Sequence, residues 1–147
     1  MAKASRTPRL VGSIVAVFGI ILVVAGGVTW FVVTDQLAAE NITVSDDADF
    51  LAGDEVDGPF SAYAQAQVIN THALEATGGK TYAELEQDDP TRETAMQASF
   101  LRASLFTSVV AYGVALMAIG MGAVFFLIGL ALRTPVAAAP STGAERR

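Results

Sequence analysis

The sequence predicts an all-α membrane protein: two transmembrane helices in a hairpin, a small helical extracytoplasmic domain between them, and the second transmembrane helix extended into that domain. Three observations lead there. Of the 147 residues, 52% are hydrophobic and only 16% charged, where a soluble domain carries about a quarter. The apolar residues gather in two runs free of charged side chains, Leu10 to Val33 and Val109 to Leu132. Each run reaches about 36 Å as a helix, enough to cross a hydrocarbon core of about 30 Å. Charge is segregated as well: the stretch between the runs holds 14 of the 15 acidic residues and only Lys80, Arg92 and Arg102 as bases.

The flanks have the opposite sign. Lys3, Arg6 and Arg9 precede the first run, and Arg133, Arg146 and Arg147 follow the second against Glu145 alone. Short basic flanks stay on the cytoplasmic side, so both termini are expected there, in the plasma membrane. The expected division is a cytoplasmic basic N-terminus (1–9), transmembrane helix 1 (10–33), an acidic extracytoplasmic helical domain (34–108), transmembrane helix 2 (109–132) and a cytoplasmic disordered tail (133–147).

The first run is preceded by the basic "MAKASRTPR" and followed by the small residues of "LAAE", which is also how a cleaved signal peptide looks. Signal h-regions are about 7–15 residues long, and the greater length here favours an anchor. Trp30 lies where an aromatic ring marks the far water interface. "TDQLAAE" contains no helix breaker, so the helix is expected to overrun to about Ala39.

Next comes "ENITVSDDADF", expected to be extended or looped, within a strongly acidic region. A helix then opens at "DGPF": Asp57 or Gly58 caps it, Pro59 occupies the first turn, and Gly78-Gly79 ends it. Phe60, Tyr63, Ala64, Gln67, Val68, Thr71 and Leu74 form a stripe at helical spacing that should pack against the stalk of the second transmembrane helix. "TYAELEQ" has Thr81 and Glu84 at capping-box spacing and predicts a third short helix. Asp89-Pro90 starts a long helix running to Leu132, about 64 Å by its rise. The segment "TPVAAAPSTGAERR" reads as disordered. With no cysteine there is no disulfide, and a domain of about 75 residues needs reinforcement. The membrane helices are expected to provide it.

The chemistry is sparse. Asp46, Asp47, Asp49, Asp54, Glu55 and Asp57 are the candidate ligands for a hard cation such as calcium. The EF-hand pattern breaks at Leu51 when started from Asp47 and at Val56 when started from Asp54. A solvated acidic loop is the simpler reading. His72, the single histidine, stands near a predicted helix C-terminus, where a dipole partner or surface group is expected. No nucleophile has a matching His and Asp, and the glycines of "TGGK" end a helix instead of opening one. "NIT" at Asn41 is a glycosylation sequon compatible with an external position. No catalytic residue, cofactor, metal or nucleic-acid partner is expected.

The membrane runs carry packing signals. Ala111, Ala115, Ala118, Gly122 and Gly129 place small residues along one face of the second, and Gly12, Ala16, Gly19 and Gly26 do so in the first. Such faces let backbones approach closely, within one chain or in a homo-oligomer or larger complex. Neither run holds an Asp, Glu, Lys, Arg or His, which argues against an ion or proton path.

The layout "RTPRLVGSIVAVFGIILVVAGGVTWFVV", then "TVSDDADFLAGDEVDGPFSAYAQAQVI" and "TYAELEQ", then "GVALMAIGMGAVFFLIGLAL" resembles a set of small actinobacterial two-helix membrane proteins over nearly the whole chain. Similar sequences often carry the label aromatic ring-opening dioxygenase. Such an activity uses non-haem iron held by two histidines and a carboxylate, which His72 alone does not supply. The resemblance therefore implies the architecture and no activity. The expected function is a non-catalytic integral membrane interaction protein, an accessory subunit of a larger membrane or envelope complex. Its partners would be the lipid bilayer and a membrane protein or a second copy. The alternative is an extracytoplasmic ligand- or divalent-cation-binding module, with its site in the groove between the "PFSAYAQAQVINTHALEA" helix and the stalk.

Overall fold

The computed structural model describes residues 6–134; the expected disordered tail from Pro135 onward, and the first five residues of the basic flank, lie outside the described residues. Among the described residues the regular secondary structure is all helical, joined by turns and loops that hold one isolated β-bridge. Its helices are α1 (Arg6–Ala39), α2 (Pro59–Ala76) and α3 (Arg92–Arg133).

Helix α1 runs 34 residues, about 51 Å, six residues beyond the apolar run because nothing in "TDQLAA" breaks it. Asn41, with φ 52°, turns the chain out of the helix; asparagine tolerates this left-handed conformation better than most residues. The hydroxyls of Ser13 and Thr29 donate back to the carbonyls of Arg9 and Ala25, both at 2.9 Å. Polar side chains inside the apolar run are thus satisfied within their own helix.

Helix α3 runs 42 residues, about 63 Å, and contains both the polar stalk and the second apolar run. It begins at Arg92. Asp89 closes the turn before it, one carboxylate oxygen accepting from the Thr91 amide at 2.8 Å and from the Thr91 hydroxyl at 2.6 Å. Those bonds, the hydroxyl's first, hold the Asp89 carboxyl below the usual carboxylate range.

The two long helices lie against each other in opposite directions, meeting through glycine. A Cβ on Gly12 would stand 2.7 Å from the carbonyl oxygen of Gly129, one on Gly19 2.5 Å from that of Gly122, and one on Gly26 2.6 Å from that of Ala115. These are distances at which a side chain has no room. The backbones therefore approach as only small residues permit.

Helix α2 starts where Pro59 needs no amide partner. Ser61 Oγ lies 3.2 Å from the Gly58 amide and 3.3 Å from the Asp57 amide, tying the first turn to the chain before it. At the other end Gly78 and Gly79 have φ 65° and 88°, and the Gly79 amide donates to the Leu74 carbonyl at 2.6 Å. The buried residues of α2 are Ser61, Ala62, Ala64, Ala66 and Val68, so only Ala64 and Val68 of the expected stripe are buried. Phe60, Gln67 and Thr71 are exposed. The helix is packed on more than one side, and its alanines, not its large residues, allow that.

"TYAELEQ" forms a turn and not a helix. The capping contact exists, Glu84 Oε2 accepting from the amide and hydroxyl of Thr81, each at 2.8 Å, and these bonds, the amide's first, lower the Glu84 pKa. The turn is organised around Arg92. Its guanidinium lies 4.2 Å from the centre of the Tyr82 ring and donates to the Leu85 carbonyl, with those of Tyr82 and Glu86 each at 3.4 Å. One side chain thus ties three carbonyls of this segment to the start of α3, and Leu85 is buried.

Candidate functional site

Two arrangements in the polar half bear on function: the acidic loop between α1 and α2, and the point where all three helical segments meet. The loop is a closed clasp. The Val44 amide donates to the Asp54 carbonyl at 2.8 Å, the Gly53 amide to Val44 at 2.9 Å and the Val56 amide to Ile42 at 2.9 Å, around an antiparallel bridge between Thr43 and Glu55. Val44 and Val56 point inward and are fully buried in a cluster with Leu37, Ala62, Leu105 and Tyr112. The candidate cation ligands Asp46, Asp47, Asp49, Asp54, Glu55 and Asp57 are all exposed. Among the described residues no three His, Cys, Asp or Glu side chains converge as a metal set.

One acid has a partner. His72 Nε2 lies 2.6 Å from Asp47 Oδ2, joining the loop to α2 across 25 residues of sequence. That hydrogen bond is the main cause holding the Asp47 carboxyl below the ordinary carboxylate range. A lowered carboxylate pKa means the contact contributes fully above the ordinary range and is lost as pH falls through the depressed value. In a carboxyl NMR titration His72→Ala should therefore raise the pH at which Asp47 protonates. An Asp47 titration unmoved by His72→Ala would show that the pair does not form.

Beside this pair lies a cleft of about 480 Å³ lined by Asp47, Asp49, Phe50, Tyr63, Gln67 and Thr71. It separates the loop from α2. The groove anticipated between α2 and the stalk is not where this cleft opens: on that side Tyr63 meets Phe106 edge-on at 5.8 Å, and Ala62, Ala66 and Leu105 are buried. The Phe50 and Tyr63 rings, 6.3 Å apart, form the apolar wall of the cleft, and two carboxylates with Gln67 and Thr71 form its polar wall.

The meeting point is Tyr112, 1% exposed. Its hydroxyl donates to the Asp57 carbonyl at 3.0 Å. With its proton so committed, it accepts from the Thr34 hydroxyl at 2.8 Å. Trp30 stands edge-on to the Tyr112 ring, centroids 4.7 Å apart. One side chain thus links α1, α3 and the entry to α2.

The small residues of α3 divide by position. Ala115, Gly122 and Gly129 are buried, while Ala111 and Ala118 are half-buried. Gly122 and Gly129 lie directly against α1, with Gly19 and Val23 around the first, and Gly12 and Ala16 around the second. Sequence reasoning missed the His72–Asp47 pair, for which no local spacing exists. It also passed over Tyr112, although a hydroxyl set inside an apolar run was a signal that a partner had to be found for it. Comparison with known proteins gives no match: no family model, curated protein or solved structure aligns significantly with the chain.

Proposed function

We propose that this chain is a non-catalytic integral membrane interaction protein, with α1 and the second half of α3 spanning the plasma membrane as a hairpin. The acidic half lies outside and both basic flanks lie in the cytoplasm. The observation that carries this reading is where the apolar residues point. Only 22% and 17% of the most apolar windows of α1 and α3 are buried, and those buried positions are largely the small ones. Large side chains face outward all round the pair, among them Ile14, Phe31, Val110 and Leu127. An apolar belt of this size is not maintained against water, and lipid is the solvent that fits it. The asymmetry of Lys and Arg favours the orientation, and the resemblance to small two-helix membrane proteins points the same way.

The polar half supports interaction in preference to catalysis. It presents exposed carboxylates, one histidine already paired with Asp47 and a shallow cleft, with no activated nucleophile. The role proposed is an accessory subunit of a larger membrane or envelope assembly. The test is purification of the tagged chain from native membranes in a mild detergent, with mass spectrometry of what remains bound. A stoichiometric membrane protein is the expected result. A clean homo-oligomer would overturn the accessory role and move weight to the second reading, a ligand-binding module using the cleft between the acidic loop and α2.

A further inference from the structure

The Tyr112 hydroxyl fixes the height at which α2 begins. It bonds to Thr34, the first polar residue after the apolar run of α1, and to the Asp57 carbonyl, two residues before α2. The start of α2 therefore lies at the rim of the apolar belt. From there α2 rises along the stalk, because Tyr63 meets Phe106, nearly two turns before Tyr112 on α3. A helical side chain leans back toward its own N-terminus, so a large residue in the first turn of α2 leans toward the belt. That residue is Phe60, 75% exposed, the most exposed of the large apolar residues among those described.

None of the described residues covers Phe60. It shares a shallow depression with Pro59 and Leu51, and Leu51 is held in the left-handed region at φ 57°. A bulky residue rarely adopts that conformation, and here it sets an apolar side chain beside Phe60. Asp54, Glu55 and Asp57 border the same depression, which limits how far such a surface can sink.

We infer that Phe60, with Pro59 and Leu51, is seated in the lipid interface as an anchor for the N-terminal turn of α2. The occupant is the headgroup and upper acyl region of the bilayer. An aromatic ring is favoured at that depth, the carboxylates beside it stay in water, and the surface is continuous with the belt that the two long helices present to lipid. Its effect is to hold α2 and the acidic clasp against the membrane, so that the cleft beside Asp47 opens at a fixed height above it. The inference rests on the membrane reading proposed above.

The absence of cysteine makes site-specific labelling clean. Phe60→Cys, Glu75→Cys and Val124→Cys, each carrying a nitroxide, would be reconstituted as the full chain in vesicles of phosphatidylcholine and phosphatidylglycerol. Accessibility would be read against oxygen and a water-soluble nickel chelate. Position 75 is exposed on α2, 15 residues and about 22 Å along the helix from position 60; position 124 is in the middle of the second apolar run. The label at 60 should be several-fold less accessible to nickel than the label at 75, and closer to the label at 124. If position 124 is lipid-exposed while position 60 matches position 75, the anchor is wrong and the membrane reading stands. If position 124 is itself open to nickel, the membrane reading falls and the anchor with it.

Discussion

Gly122→Val is expected to separate α1 from α3 and to cost at least about 1–3 kcal/mol, the usual penalty for overpacking. A Cβ at Gly122 would stand 2.6 Å from the Gly19 carbonyl oxygen and 2.8 Å from both the amide nitrogen and a methyl carbon of Val23. Two of those three atoms are backbone. No rotamer change can move them, so the helices themselves must part, and their other close contacts part with them. Gly120→Val supplies the control, because a Cβ there meets nothing within 4 Å. Both variants lose a glycine and gain the same β-branched side chain in one helix, so propensity cancels between them. In a reversible SDS titration followed by Trp30 fluorescence, Gly122→Val should unfold at clearly lower detergent fraction, with Gly120→Val near the parent. Equal behaviour of the two would mean that the glycine contact does not hold the pair together.

Tyr112→Phe should be the second large effect. The ring survives, so the edge-on packing with Trp30 is retained, but the Asp57 carbonyl and the Thr34 hydroxyl both lose their partner. A buried polar group left without one costs about 1–3 kcal/mol. Thr34→Val removes only the donor to the tyrosine oxygen and leaves the bond to Asp57, so it should cost less. In a double-mutant cycle the pair should couple, because each partner is stranded only while the other remains. Tyr112→Ala would in addition empty a fully buried site, at about 3–5 kcal/mol for an aromatic side chain. The unfolding titration just described measures all four variants. Additive costs for Tyr112→Phe and Thr34→Val would sink the shared hydrogen bond.

Much of the architecture could be read in the residues because its signals are local. Pro59 and the pair Gly78-Gly79 bracket α2, and the unbroken segment after Pro90 announces the length of α3. What failed was what depends on residues far apart. The Thr81–Glu84 contact formed, yet the segment is a turn tied at three of its carbonyls to Arg92, eleven positions beyond Thr81. A stripe chosen by side-chain size put Phe60 in a core where α2 buries alanines, because close packing on several sides selects small residues. The acidic segment reads as charge, whereas its fold is decided by two inward valines, Val44 and Val56. The pair of His72 with Asp47 and the triple junction at Tyr112 were invisible for the same reason: each is made by tertiary approach.

The glycine contacts between α1 and α3 have a mechanical consequence. Gly12 faces Gly129, Gly19 faces Gly122 and Gly26 faces Ala115, so both helices advance seven residues from one contact to the next. A seven-residue repeat is the signature of a left-handed supercoil. It also quantises relative motion. Sliding one helix along the other by a single residue would bring side chains into all three contacts at once, and the next register of the same period lies about 10.5 Å away. Single-residue register shifts are thus closed to the pair, and larger movement of one helix against the other is left to rotation or splaying about the glycine contacts.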